Sequence, residues 1–476
     1  MTKNKFFAIL MSIVMAFALA GCDKESGGGK LPDPDNNPPV HAGAHLTASV
    51  KGAPDYSEHE GELMPIGAWN SSPSINYVYT EKELSAASEA GIQFLCDVRI
   101  SRYTDTSSGR KALVAAMDAI EKSGMKTFVN LSGLSYTDVK NTELVYSELL
   151  PYMEKDFFLG FNFWDEPSVD RFESLEVSAA AYAKDYPDKT GYVNLLPNYA
   201  TNGQLGVGKD GTYKGYVNGF AQTVSSVDML SYDFYPLAGQ TDNGTVLSHG
   251  LNGNWLASLE AMSGAAKSAG KDFWVFIQCM DFNNTNRAPQ SVADITFQNY
   301  VNMCYGARGL QYFSLTTPPD GKEQFGPAML DRELNKTANY YYVKEANEQI
   351  QSFAHAYLQF TWDNVMPVYG TVINDISATG FDLLSDCMTE SEDFEVTSNL
   401  DALVGQFHDQ NGYKGYMVTR VSDPMDGLTG TLSMTFNASH ALVYEGGECK
   451  TVEIPSGVYK FSLEAGEGKF IIPYNA

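Results

Sequence analysis

Eight times between about residues 60 and 360 the chain passes from an apolar run of strand length to a stretch with helical spacing. That repetition restricts the possible folds more than any other feature. The strand-like runs are Met64–Trp69, Ile92–Arg99, Met125–Leu131, Phe158–Trp164, Gly191–Leu196, Ser226–Tyr235, Phe273–Met280 and Leu310–Leu315. Between them, Thr80-Glu-Lys-Glu83 has the spacing of a capping box and opens a helix that runs to Gly91. Arg110 to Gly124 places Leu113, Ala116, Met117 and Ile120 on one helical face. Trp255 to Gly270 and Val292 to Gly306 follow the same pattern, each closing on a glycine suited to a helix C-terminus. Such alternation predicts a (β/α)₈ TIM barrel. A doubly wound open sheet uses the same units, but the Gly-rich phosphate loop expected after its first strand is missing.

The two ends of the chain have a different texture. Lys3 and Lys5 precede the apolar stretch Phe6 to Ala20, and Leu19-Ala-Gly-Cys22 follows. This is the layout of a secretory signal, too short for a comfortable membrane span. Its last four residues resemble the lipobox of bacterial lipoproteins, which implies that Cys22 becomes the lipid anchor. Residues 1–21 are thus expected to be a signal peptide and residues 22–59, with Gly27-Gly-Gly29 and Pro38-Pro39, a flexible tether. The barrel is expected over 60–360. From 361 to 476 short alternating runs broken by turns (Gly415–Arg420, Gly430–Phe436, Ala441–Tyr444, Tyr459–Leu463, Lys469–Pro473) predict a β-sandwich domain. The expected address is an exported lipoprotein of the outer membrane or cell surface. A net charge of −26 argues against nucleic acid as a partner. With Cys22 acylated, five cysteines remain, an odd number without metal-type spacing. The histidines are scattered, and neither a phosphate loop nor a nucleophile elbow is present, so neither a metal nor another cofactor is expected.

In such a barrel the chemistry lies where the strands end. The fourth run closes Phe161-Asn-Phe-Trp-Asp165-Glu166-Pro167. Alternation puts Phe161, Phe163 and Asp165 on one face and Asn162, Trp164 and Glu166 on the other. The phenylalanines belong against the outer helices, so Glu166 is expected to point into the mouth and Asp165 outward, unless the strand has already turned. Acids are also common at helix N-termini, which is the plainer reading of this pair. The sixth run ends Ser231-Tyr-Asp233-Phe-Tyr235-Pro236, with Ser231, Asp233 and Tyr235 sharing a face. A rim aspartate paired with an arginine is the alternative for Asp233. The candidate catalytic residues are therefore Glu166, Asp165 and Asp233. The candidate substrate-binding residues are Trp69, Arg99, Trp164, Asn194, Tyr235 and Gln278, the last being the rim residue of the seventh run.

Residues 60–360 resemble glycoside hydrolases of the large barrel superfamily that includes β-galactosidases and β-mannanases. Leu330-Asp-Arg-Glu-Leu-Asn-Lys-Thr337 followed by Tyr340-Tyr-Tyr-Val343 resembles the entry to their last helix. The resemblance implies that Glu166, closing the fourth strand, is the acid. In those enzymes an Asn precedes it, where this chain has Asp165, and a nucleophilic Glu ends the seventh strand, where this chain has Gln278. The adjacent Asp-Glu instead resembles N-acetylhexosaminidases. That implies an Asp165 that orients the substrate's acetamido group, assisted by Tyr235 or Tyr232. Glycoside cleavage needs an acid for the leaving oxygen and a second group that supplies electrons. The expected function is a glycoside hydrolase acting on a glycan through Glu166. The alternatives are a non-catalytic glycan-binding lipoprotein on a degenerate barrel and an adhesion lipoprotein whose working part is the β-domain.

Overall fold

Eight parallel strands close into a barrel: β1 (Ile66–Trp69), β2 (Phe94–Arg99), β3 (Lys126–Asn130), β4 (Phe158–Asp165), β5 (Thr190–Leu195), β6 (Met229–Asp233) and, after an antiparallel hairpin of β7 (Leu237–Asp242) and β8 (Thr245–Leu251), β9 (Asp272–Gln278) and β10 (Gly309–Phe313). The computed structural model describes residues 45–71, 77–100, 107–131, 133–242, 244–319, 321, 323–372 and 379–476. Cys22, the signal-like segment and the first part of the expected tether lie outside them.

Helices α1 (Glu81–Glu89), α2 (Ser107–Ser123), α3 (Tyr136–Asn141), α4 (Glu143–Met153), α5 (Phe172–Asp185), α6 (Asn202–Leu205), α7 (Tyr213–Thr223), α8 (Trp255–Ala269), α9 (Val292–Cys304) and α10 (Ala338–Tyr357) follow the strands. Each forms for a local reason. Thr80 caps α1 and Glu83 reaches back to the Thr80 amide, the reciprocal pair expected from their spacing. Along α2, Leu113, Ala116, Met117 and Ile120 are buried. Phe161 and Phe163 of β4 pack outward on Tyr182 of α5, with Phe161 also against Tyr136 of α3.

The C-terminal region forms two antiparallel sheets. One has the order β11 (Thr361–Val368), β13 (Ala402–His408), β14 (Lys414–Arg420), β19 (Gly468–Tyr474), β16 (His440–Glu445), β17 (Glu448–Glu453). The other is β12 (Phe394–Ser398), β15 (Gly430–Phe436), β18 (Val458–Leu463). The period-two alternation of the strands assigns two jobs to the larger sheet. Val404, Val418, Val443 and Ile471 face the smaller sheet across the sandwich core. Leu403, Phe407, Met417 and Phe470 face the barrel and join its core. There Phe470 meets Phe353, Tyr357 and Phe360 at the end of α10, with ring centroids 6.3, 5.5 and 5.1 Å away. Gly405 lets the sheet approach α9 closely, since a Cβ at this position would lie 2.4 Å from the Cys304 carbonyl oxygen.

Part of the expected tether is not free. Residues 45–59 run along the β-domain, with the Ser49 amide on the Asn437 carbonyl and the Gly52 amide on that of Asn475. Tyr56 is buried and its hydroxyl donates to Asp409 at 3.1 Å. The polar composition that suggested a linker belongs here to extended chain held through its backbone.

Candidate active site

A single irregularity between β4 and β5 builds the centre of the site. Asn162 of β4 pairs with Tyr192 of β5, yet Trp164 pairs with Val193 and Asp165 with Asn194. One extra residue has been inserted into β4, a β-bulge, and beyond it the inward and outward faces exchange. Without it Trp164 would stand opposite Asn194. Asn194 in turn pairs with Ser231 of β6, so Asp165, Asn194 and Ser231 form one row across three strands. The expected outward orientation of Asp165 is thereby corrected: its Oδ1 lies 3.4 Å from Asn194 Nδ2, inside the mouth. The same amide nitrogen donates at 2.8 Å to Oδ1 of Asp233, which closes β6. End to end these two hydrogen bonds fall short of the roughly 6.5 Å at which acid and base begin to leave room for a water, so the two aspartates form a close pair.

Glu166 follows Asp165 at a backbone φ of 57°, a left-handed conformation uncommon for a residue with a side chain. Its amide donates to the Asn194 carbonyl at 2.8 Å, which fixes the turn out of β4. The carboxyl is pushed well above the usual carboxylate range, first by burial and then by the charges of Asp233, Asp165 and Glu323. Burial also raises Asp165, against the opposing pull of Arg99 and the Asn194 hydrogen bond. Asp233 is pushed up to about 7, by burial first and Asp165 second, while hydrogen bonds from Asn194 and Tyr235 act the other way. Three neighbouring carboxyl groups with raised proton affinity thus meet at the strand ends, a pattern suited to acid–base work.

Asp233 has a consequence for stability that can be measured. A carboxyl with a raised folded value binds its proton more tightly when folded, so its contribution is lost as pH climbs from about 4 toward 7 and stays lost above. Asp233→Asn is expected to raise the melting temperature at pH 8, by an amount corresponding to a few kcal/mol, and to change it far less at pH 4. Melting curves at the two pH values check this, and a larger gain at pH 4 would contradict it.

The remaining sequence-predicted residues divide into two groups. Tyr235 lies at the mouth, its hydroxyl on Asp233 and its ring 5.1 Å from Phe282 and 5.6 Å from Phe313. Trp164 is half-buried, with the Arg171 guanidinium 5.2 Å from its ring centroid. Arg99 lies 5.1 Å from the Trp69 ring centroid and is near enough to Asp165 to oppose its protonation. Trp69 itself is 7% exposed, edge-on to Phe276, and is mostly packing. Asn194, expected to meet substrate, turns its amide to the two aspartates.

Gln278 requires a correction. It is fully buried, accepts the Leu237 amide at 3.0 Å and donates to the carbonyls of Met280 and Arg287 at 3.2 and 2.9 Å. It ties the segment after β6 to the segment after β9 and has no surface to offer a sugar. Tyr232 lies outward, stacked 6.0 Å from Phe273, so of the two only Tyr235 reaches the mouth.

Two further residues reach the mouth that strand-end reasoning missed. Tyr199, in the loop after β5, keeps part of its ring exposed, while burial of its hydroxyl and then Asp233 and Glu166 raise its proton affinity. Glu323, after β10, contributes to the upward shift of Glu166. Its loop is held by hydrogen bonds from the Asn283 amide to the Gln324 carbonyl and from the Gly326 amide to the Asp281 carbonyl. The signal available for both was their position in loops after barrel strands, where function concentrates.

Among solved structures, the β-galactosidase from Bacillus circulans sp. alkalophilus is similar, with a TM-score of 0.50 at 8% identity over 86% of this chain and 99% of that one. A GH30 endoxylanase from Clostridium papyrosolvens C71 gives a TM-score of 0.44 at 12% identity, over 90% of this chain and 98% of its own. For the β-galactosidase from the psychrophilic Marinomonas ef1 the TM-score is 0.43 at 10% identity over 62% of this chain, which spans 60% of that enzyme's length. No protein-family model and no curated protein matches the chain. At such identities the likeness is one of fold alone, in keeping with the closed barrel of eight parallel strands.

Proposed function

We propose that this protein is a glycoside hydrolase in which Glu166 protonates the leaving oxygen while the Asp165–Asp233 pair serves the anomeric carbon. The observation that carries the reading is the convergence of these carboxyl groups at the strand ends, each with its proton affinity raised by burial. Protonated Glu166 can donate to a glycosidic oxygen without help from solvent. Asp233, braced by Asn194 and Tyr235, supplies the electron pair directly or through water. With an N-acetylhexosaminide, Asp165 instead orients the acetamido group and the substrate supplies the attack. Half-buried Trp164 and exposed Tyr199 offer aromatic faces to a sugar ring.

The test is a screen of the purified chain against aryl glycosides, N-acetylhexosaminides included, with Glu166→Gln alongside. Release from an unactivated phenyl glycoside that the variant loses supports the reading; such release that the variant keeps removes it. A second reading, a glycan-binding protein without turnover, is favoured by one observation: Gln278 ends β9 where a nucleophilic carboxylate would stand, and its amide is tied to backbone. It predicts retained sugar binding and no release by the unaltered chain.

The proposed setting is a lipid-anchored protein of the outer membrane or cell surface, held through Cys22. Cys22→Ser is expected to abolish labelling by radioactive palmitate and to move the protein out of the membrane fraction. Unchanged labelling would exclude the anchor.

A further inference from the structure

We infer that Asn194 is a positioning residue, whose amide, aimed by Ser231, holds Asp165 and Asp233 together as one pair beside Glu166. This role rests on the functional reading above but is fixed by geometry deeper in the barrel. Asn194 is 3% exposed, and its carbonyl oxygen accepts from the Ser231 hydroxyl at 3.1 Å. Ser231 has one proton to give, and behind it the Tyr192 hydroxyl also lies 2.9 Å from its oxygen. Gln311 Nε2 donates to Ser231 Oγ at 2.9 Å, while Gln311 Oε1 accepts from the Tyr192 hydroxyl at 2.8 Å and the Cys96 thiol at 3.2 Å. Ser231 and Gln311 are fully buried, as are Tyr192 and Cys96.

This chain leaves Asn194 one orientation. A flipped amide would place its oxygen against two carboxylates and its NH₂ against a hydroxyl oxygen that already has Gln311 Nε2 and the Tyr192 hydroxyl beside it. In the observed orientation the NH₂ faces Asp165 and Asp233, and a donor between two acceptors offsets part of their repulsion. The β4 bulge brings Asp165 into the same row as Asn194 and Ser231, so the register of three strands and the amide act as one device. The charged and titratable groups facing the pair include Arg99 and Cys96 from β2, Glu166 at the end of β4, Tyr192 of β5, Tyr199 after it, Tyr213 of α7 and Tyr235 after β6, with Glu323 acting on Glu166. Of these Arg99 and Tyr235 favour the ionised pair, and the acids oppose it. Removing Asn194 therefore moves proton uptake to higher pH, because a hydrogen bond to the ionised form has been lost.

The test follows the aspartate carboxyl carbons by NMR in the full chain labelled with ¹³C-aspartate, assigned with Asp165→Asn and Asp233→Asn. In Asn194→Ala the two carboxyls are expected to titrate about one to two pH units higher than in the unaltered chain. In Ser231→Ala, which removes only the aiming hydroxyl, the shift goes the same way and is smaller. Melting temperatures report whether each variant folds, and Ser231→Ala alone decides the matter if Asn194→Ala does not. Titration unchanged from the unaltered chain, or moved to lower pH, overturns the role. The readout needs no turnover, so a glycoside screen that stays silent counts against the hydrolase reading and leaves this measurement standing. Where turnover is found, the acid limb of kcat/KM is expected to move upward with the carboxyls, a change that mere loosening of the barrel would not produce.

Discussion

Glu166→Gln is expected to lower turnover of an unactivated glycoside by about 10²- to 10⁴-fold, the range that general acid catalysis contributes. Sugar binding and folding should survive. Glutamine matches the size of the protonated acid and keeps its hydrogen-bonding shape but has no proton to give. Burial and the charges of Asp233, Asp165 and Glu323 all favour the protonated form of Glu166, which the amide resembles. The left-handed φ of 57° is the same for either side chain, and the amide bond to the Asn194 carbonyl is untouched. The melting temperature should therefore stay level or rise, more at alkaline pH, where the wild-type carboxyl is forced to ionise among its neighbours. Lost turnover together with a lowered melting temperature would instead mean that Glu166 serves the fold.

Arg287→Met is expected to be the most destabilising single change that leaves the mouth intact. Arg287 is fully buried, and its Nη2 donates at 2.6 Å both to Asp294 of α9 and to Asp423 in the turn after β14. Barrel and β-domain are thus joined by one guanidinium between two buried carboxylates. Each acid has a second duty: Asp294 accepts the Gln290 amide, and Asp423 accepts the Met425 amide. Methionine preserves most of the volume but leaves both charges without their cation, and breaking a buried pair in this way costs about 3–5 kcal/mol. Adding Asp423→Asn should recover part of the stability. Denaturant unfolding of the single and double variants gives the comparison, and additive losses would contradict the shared role.

The barrel was legible because its signal is redundant. Eight repeats of run and helix survive errors in any one of them, and apolar spacing such as Leu113, Ala116, Met117 and Ile120 in α2 records burial directly. The site is encoded differently. Parity along β4 is a rule for regular strands, and it failed for Asp165 because one inserted residue exchanges the two faces; nothing in Phe-Asn-Phe-Trp-Asp announces a bulge. Gln278 ends its strand as expected, but which way its amide turns depends on the backbones of Leu237, which opens the β7 hairpin, and Arg287, in a loop without periodicity. Tyr199 and Glu323 lie in such loops themselves. Residues 45–59 read as linker because backbone pairing with Asn437 and Asn475 leaves no pattern in side-chain chemistry.

The central claim, that Glu166 is the acid of a glycoside hydrolase, is tested most directly by leaving-group dependence. Rates of the unaltered chain and Glu166→Gln should be compared on two aryl glycosides of the same sugar, one releasing a phenol and the other a dinitrophenol. A dinitrophenolate departs without protonation, so the account predicts a severe loss on the phenyl glycoside and a much smaller one on the dinitrophenyl glycoside. Equal losses on both substrates would contradict the assignment of Glu166 as the acid.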